Sequence, residues 1–185
     1  MSKKVLVING SDREGSFNGQ LAAQLVGELE KNGAAAEILD YSALPLLSQN
    51  NEYPNQQVIT DIRAQVKAAD ALLIVSPEYN GSYTARLKNL IDWLSRPTEQ
   101  GNNEEITVIN SKPVAVASVA NSTYGKFVRQ NLNTLVAYTR MKPMDHEGLG
   151  IKIPGAAWGT GQLELEPEQQ EKVEAFVKEF IAFIG

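Results

Sequence analysis

The feature that most constrains this chain is a regular switch between two apolar patterns. Val5–Ile8, Ala35–Leu39, Ala71–Val75 and Val114–Val119 are short, mainly apolar runs, broken only by Glu37 and Ser118. A fifth, weaker run covers residues 141–145. Between the runs, apolar residues recur at spacings of three and four. The stripes are Leu21, Leu25, Leu29; Val58, Ile62, Val66; Leu87, Leu90, Ile91, Leu94; and Val128, Leu132, Leu135, Val136. A last stripe, Val173, Phe176, Val177, Phe180, Ile184, follows Pro167, a residue suited to a first helical turn. Runs that are apolar on both faces need cover on both sides, and amphipathic helices supply it. With right-handed crossovers, the alternation predicts an α/β doubly wound sandwich: a five-stranded parallel sheet between two layers of helices. Residues 98–112, polar and rich in Asn and Glu, read as a mobile surface insert. Residues 148–161, with five glycines and a proline, read as loop. No repeat or linker interrupts the chain, so its 185 residues are expected to form one domain, 1–185.

Composition removes several function classes. The chain has 17 Lys and Arg against 22 Asp and Glu, a net charge of −5, and no basic run. Duplex nucleic-acid binders carry a basic surplus, so no nucleic-acid partner is expected. The absence of cysteine excludes disulfide scaffolds, thiolate metal sites and cysteine nucleophiles. The single histidine, His146, excludes a His-rich metal centre, and no metal site is expected. The apolar run at Val5–Ile8 is too short for a secretory signal, and no segment approaches a membrane span. A soluble cytoplasmic protein without a membrane partner is therefore expected.

Ligands of doubly wound sheets bind beyond the C-terminal strand ends. Three loops lie there: 9–18, 76–84 and 118–125. In the first, a helix start offers backbone N–H groups and a positive dipole end to an anion. Ser11, Ser16 and Asn18 add polar donors, and Arg13 adds a cation. Gly10 and Gly15 have the spacing of a Walker loop, but Ser16-Phe17 stands where Lys-Ser/Thr is required. The G-x-G-x-x-G dinucleotide fingerprint is absent. A monophosphate cradle and an ordinary capped helix start both fit. The second loop, Ser76-Pro77-Glu78-Tyr79-Asn80-Gly81, combines a fixed proline, an aromatic and a turn dipeptide. It suits either a flat heteroaromatic ligand or a plain strand-to-helix turn. The third loop, with Ser118, Asn121, Ser122 and Thr123, is small and polar and could close a pocket. Together the loops describe an anion end and a flat aromatic end, the shape of flavin mononucleotide (FMN). A phosphoacceptor signalling domain shares the topology, but Asn9-Gly10 and Ser76-Pro77 occupy its acidic positions. Asp12 and Glu14 read as solvated loop residues, and His146 as structural or exposed.

At these residues the chain resembles the NADPH-dependent FMN reductase family, of flavodoxin-like fold. The phosphate-loop pattern is Gly10-Ser11-x-Arg13-x-x-Ser16-x-Asn18, and the ring-loop pattern is Ser76-Pro77-Glu78-Tyr79-Asn80-Gly81. Leu87-Lys88-Asn89-x-Ile91-Asp92-Trp93-x-Ser95-Arg96-Pro97 matches the helix that follows. The resemblance implies a sheet order of 2-1-3-4-5, bound FMN, and NADPH or NADH as electron donor. It implies that Ser11, Arg13, Ser16, Phe17 and Asn18 hold the phosphate. Pro77, Glu78, Tyr79 and Asn80 would line the ribityl chain and ring, with Ser118 and Asn121 at the pyrimidine side. It implies hydride transfer from nicotinamide to FMN and on to a small acceptor: a quinone, azo compound, nitroaromatic, chromate or free flavin. No side chain need act as acid or base, so no catalytic residue is named. A flavodoxin-type electron carrier and a flavin-binding sensor or scaffold are the alternatives. Family members are often homodimers or homotetramers through the helices after strands three and four, which makes Leu90, Trp93 and Leu94 interface candidates. The chain departs from many relatives at Thr84-Ala85-Arg86, where they have Pro-Gly; Thr84 can cap that helix instead.

Overall fold

In the computed structural model, which describes residues 2–185, the chain alternates strand and helix from its first element. The elements are β1 (Lys4–Asn9), α1 (Phe17–Lys31), β2 (Ala35–Ile38), α2 (Gln57–Ala68), β3 (Ala71–Val75) and α3 (Ala85–Leu94). They continue as β4 (Pro113–Ala120), α4 (Lys126–Tyr138), β5 (Lys142–Pro143), β6 (Leu149–Lys152), α5 (Ala157–Thr160) and α6 (Pro167–Ile184). All strand pairs are parallel, in the order β2-β1-β3-β4-β5, with β6 also on β4. This is the flavodoxin-like order.

The period-two side-chain alternation divides the central strands between two cores. Val5, Val7, Leu73 and Val75 pack with α1 and α6 on one face. Leu6, Ile8, Leu72 and Ile74 pack with α2, α3 and α4 on the other. Helix ends follow local chemistry. Thr84 caps α3 as expected, accepting from Leu87 N at 3.2 Å. Glu166 and Gln169 form a reciprocal capping box at α6, with Pro167 in its first turn.

The structure corrects three expectations. The fifth strand is two pieces. β5 pairs only with Pro113 and Val114, and the chain leaves the sheet before β6 rejoins β4 from Ala117 to Ala120. Part of the segment expected to be loop is therefore a strand, in which buried Leu149 and Ile151 alternate with Gly150 and Lys152. The glycines there reflect close packing. Gly148 has φ +92°, and a Cβ on it would lie 2.6 Å from Val116 Cγ2. Second, segment 98–112 is not wholly a surface insert. Ile109 is fully buried, and the Glu105 carboxylate accepts from Thr98 N at 2.8 Å. Third, Leu90, Trp93 and Leu94 cannot serve as interface residues, because each is at most 1 % exposed within this chain's own core. Their motif instead clamps the segment after β2. The Trp93 indole N–H and Asn89 Nδ2 both donate to Pro45 O, at 2.8 and 2.9 Å. Asn89 Oδ1 accepts from Leu47 N at 2.8 Å.

Candidate functional site: the strand-end cleft

The first loop is held open at its base. Ser11 N donates to Asn9 Oδ1 at 3.0 Å, and Ser16 N to Arg13 O at 3.1 Å. Ser16 is the cap of α1. Its Oγ accepts from Gly19 N at 3.0 Å, and its carbonyl accepts from Gln20 N at 2.9 Å. Of the four N–H groups that a helix start leaves without an intrahelical carbonyl, those of Ser16 and Gly19 are thus satisfied, by Arg13 O and Ser16 Oγ. The other two, of Phe17 and Asn18, have no intrahelical acceptor. They are the donors a helix start offers to an anion.

The Asn18 side chain has a different role from the one expected. Its Nδ2 donates to Val119 O at 2.9 Å, and its Oδ1 accepts from Val119 N at 3.0 Å. β3 pairs with β4 only as far as Ala117, because Pro77 turns the chain away. The Asn18 carboxamide supplies the backbone-like partner that Val119 would otherwise lack. Asn18 can therefore meet a phosphate through its N–H alone.

The second loop is a tight hairpin. Tyr79 and Ser82 exchange backbone hydrogen bonds of 2.8 and 3.0 Å around Asn80 (φ 52°) and Gly81 (φ 75°). The hairpin is docked on α4. Glu78 Oε1 accepts from Thr123 Oγ1 at 2.7 Å, and Oε2 accepts from Phe127 N and Val128 N at 3.0 and 3.1 Å. α4 begins at Gly125, which has no capping side chain, so Glu78 acts as a cap from a distant loop. Asn131 Nδ2 adds a bond to Gly81 O at 2.8 Å.

These loops enclose a cleft of about 280 Å³. Of the expected site residues, Ser11, Arg13, Ser16, Phe17, Asn18, Pro77, Glu78, Tyr79 and Asn121 line it. Asn80 does not; it lies exposed at the hairpin tip. Ser118 does not either. It is fully buried on the α4 side of β4, where a Cβ on Gly125 would meet its Oγ at 2.2 Å. Sequence reading missed Val119, Ala120, Ile153 and Trp158, which complete the lining. For Trp158 the available signal was a large aromatic standing alone in a glycine-rich segment.

A second cleft of about 510 Å³ lies across the same loop and shares Ser11, Arg13 and Ser16 with the first. A further cleft, about 610 Å³, lies between α2 and residues 98–108 and contains none of the expected site residues. The principal cation in its wall, Arg63, is engaged by Asn55 Oδ1, Trp93 O and Arg96 O. Asp12 and Glu14 are exposed, as expected. His146 is structural: Nδ1 accepts from Gly148 N at 2.8 Å, and the ring packs edge-on against Phe176.

Tyr41 braces the first loop from below. Its hydroxyl donates to Asn9 O at 2.6 Å, with the Arg86 guanidinium 4.5 Å from the ring centroid. Burial pushes its pKa up from 10.0 to about 12, against the opposing charge of Arg86. The folded chain therefore holds this proton more tightly than the unfolded chain. The associated stability is complete below about pH 10 and is lost as pH rises to about 12, roughly 2–3 kcal/mol in all. Alkaline unfolding curves of the parent and Tyr41→Phe should differ by that amount across this window. Parallel curves would contradict the assignment.

The cleft is chemically suited to FMN. Two helix-start N–H groups and Arg13 can receive a phosphate, and Pro77 and the 54 %-exposed Tyr79 offer a surface to a flat ring. Comparison with known proteins agrees. Residues 3–152 match the NADPH-dependent FMN reductase family. The chain is 36% identical over 175 residues to an NAD(P)H-dependent FMN reductase of Pseudomonas aeruginosa, covering 92% of this chain and 89% of that one. It is 30% identical over 185 residues to a 2-hydroxy-1,4-benzoquinone reductase of Burkholderia sp., covering 100% and 97%. Among solved structures, the flavoenzyme NAD(P)H:(acceptor) oxidoreductase FerB of Paracoccus denitrificans superposes with a TM-score of 0.83 at 23% identity, covering 98% and 97%. The chain thus belongs to the NADPH-dependent FMN reductase family, as an oxidoreductase that uses FMN and NAD(P)H.

Proposed function

We propose that this protein is an FMN-dependent NAD(P)H oxidoreductase that delivers hydride to a small acceptor of the quinone class. The observation that carries the reading is a single cleft joining the first turn of α1 to the Pro77–Tyr79 wall. The relatives named for quinone and FMN reduction support it. When bound, FMN supplies the redox chemistry, taking a hydride from the nicotinamide and giving it to the acceptor.

The chain's own residues bind and orient. The Phe17 and Asn18 N–H groups and the Arg13 guanidinium receive the phosphate, with the Ser11 hydroxyl beside them. Pro77 and Tyr79 carry the flat ring, held in place by the Glu78 contact to α4. Asn121 faces the cleft from the third loop and is placed to meet polar atoms at the ring edge. A nicotinamide and an acceptor would reach the cleft from its open side.

An anaerobic titration of the FMN-loaded protein with NADPH, and separately with NADH, tests the reading. The flavin band should bleach stoichiometrically, and the faster nucleotide identifies the preferred donor. Persistent yellow colour with both nucleotides, while dithionite bleaches it, would leave a carrier or sensor in place of a reductase.

A further inference from the structure

The family match ends at residue 152, yet the cleft wall continues beyond it through Ile153 and Trp158. This segment is fastened to α1. Gln20 Nε2 donates to Gly161 O at 2.8 Å, and Gln20 Oε1 accepts from Leu163 N at 2.7 Å. Gln24 Nε2 donates to Leu163 O at 2.7 Å. α5 is therefore held against the helix whose first turn forms the anion end of the cleft. Trp158 packs edge-to-face on Phe17, with centroids 5.6 Å apart and planes at 89°. That contact ties the indole to the first turn of α1. The side chain remains 61 % exposed, and its N–H donates to no protein acceptor among the described residues. The other tryptophan, Trp93, is fully buried with its N–H bonded.

We propose that Trp158 is a specificity-determining residue that stacks on flat conjugated acceptors of the quinone class; this rests on the reductase reading above. A quinone presents a π face to the indole ring and carbonyl oxygens to its free N–H. Trp158 lies outside the two elements that supply the helix-start N–H groups and the Pro77–Tyr79 wall. A stacking residue outside those two elements can select the acceptor without disturbing the flavin cradle. The reaction served is balanced: NAD(P)H, one proton from water and the quinone give NAD(P)⁺ and the hydroquinone.

The test compares FMN-loaded parent, Trp158→Ala and Trp158→Phe with a naphthoquinone and with ferricyanide as acceptors. Stacking of the usual strength predicts a KM for the naphthoquinone raised about three- to tenfold in Trp158→Ala and largely restored in Trp158→Phe. Ferricyanide has no flat π face, so the ratio of the naphthoquinone KM to the ferricyanide KM should itself rise about three- to tenfold in Trp158→Ala; an equal rise in both overturns the proposal. Naphthol, a flat analogue that cannot accept hydride, provides a readout independent of turnover. Its binding to oxidised holoprotein, followed by perturbation of the flavin band, should weaken in Trp158→Ala by the same factor as the quinone KM rises. Unchanged naphthol binding overturns the proposal. So does weakened FMN binding, which assigns Trp158 to the cradle, or a changed sedimentation coefficient, which assigns it to a contact between subunits. If NADPH fails to bleach the parent, the reductase reading fails, while the naphthol comparison still decides the role of Trp158.

Discussion

Replacing Asn18 with alanine is expected to lower folding stability by about 2–4 kcal/mol, although the residue lies in a helix and alanine is the better helix former. Its carboxamide exchanges two hydrogen bonds with Val119, and the residue is only 5 % exposed. Truncation leaves a buried N–H and a buried C=O without partners, each costing about 1–3 kcal/mol. The gain in helix propensity, under about 0.7 kcal/mol, cannot offset that loss. Asn18→Asp should also destabilise, since a carboxylate can accept from Val119 N but faces Val119 O with another acceptor. Denaturant unfolding of the flavin-free protein measures the cost without ligand linkage. FMN affinity should fall as well, because the same contact fixes the first turn of α1, whose N–H groups are proposed to receive the phosphate. An alanine variant within about 0.5 kcal/mol of the parent would mean that water replaces the carboxamide and that the tie to β4 is dispensable.

The second large effect is expected at Glu78. Its carboxylate joins the hairpin after β3 to the first turn of α4 through three hydrogen bonds. Glu78→Ala removes a helix cap, at about 1–2 kcal/mol, and frees the wall that carries Pro77 and Tyr79. FMN affinity should drop at least about tenfold, since a mobile wall must be ordered when the ring binds. Glu78→Gln can keep an acceptor oxygen on the two N–H groups and turn its amide N–H₂ toward the Thr123 hydroxyl, but it loses the negative charge at the helix start. It should fall between parent and alanine in both stability and affinity. FMN titration by flavin fluorescence, paired with thermal unfolding of the flavin-free forms, measures the two effects separately. Lost stability with unchanged FMN affinity would reduce Glu78 to a helix cap with no part in shaping the cleft.

Both residues belong to motifs that the sequence already singled out, yet their side-chain roles were not legible there. The patterns at residues 10–18 and 76–81 locate the strand-end loops, and the structure brings nine of the eleven expected residues to one cleft. The pattern does not say which atom of a residue faces the ligand. Asn18 bonds a residue 101 positions away, and Glu78 bonds backbone 49 and 50 positions away. Ser118 was misplaced for a related reason. Its alternation parity in β4 turns it beneath α4, whereas Val119 faces the cleft side. The glycine count at 148–161 concealed both β6 and Trp158, because glycine marks close packing as readily as it marks a loop. Leu90, Trp93 and Leu94 read as interface candidates because an apolar stripe is the same for a core and for an interface; the cover of residues 41–57 makes them core.

The sequence by itself determined the alternation of the first four strands with their helices, the parallel sheet, the three loops that carry the site, and the family. Each follows from short-range periodicity or from motifs a few residues long. The tertiary structure alone decided that Asn18 completes a strand edge, that Glu78 caps a helix from another loop, that Ser118 is buried, and that Trp158 faces the cleft. Hydrogen-bond partners and solvent exposure depend on which distant backbone groups the fold leaves unpaired, and residue spacing along the chain does not encode that.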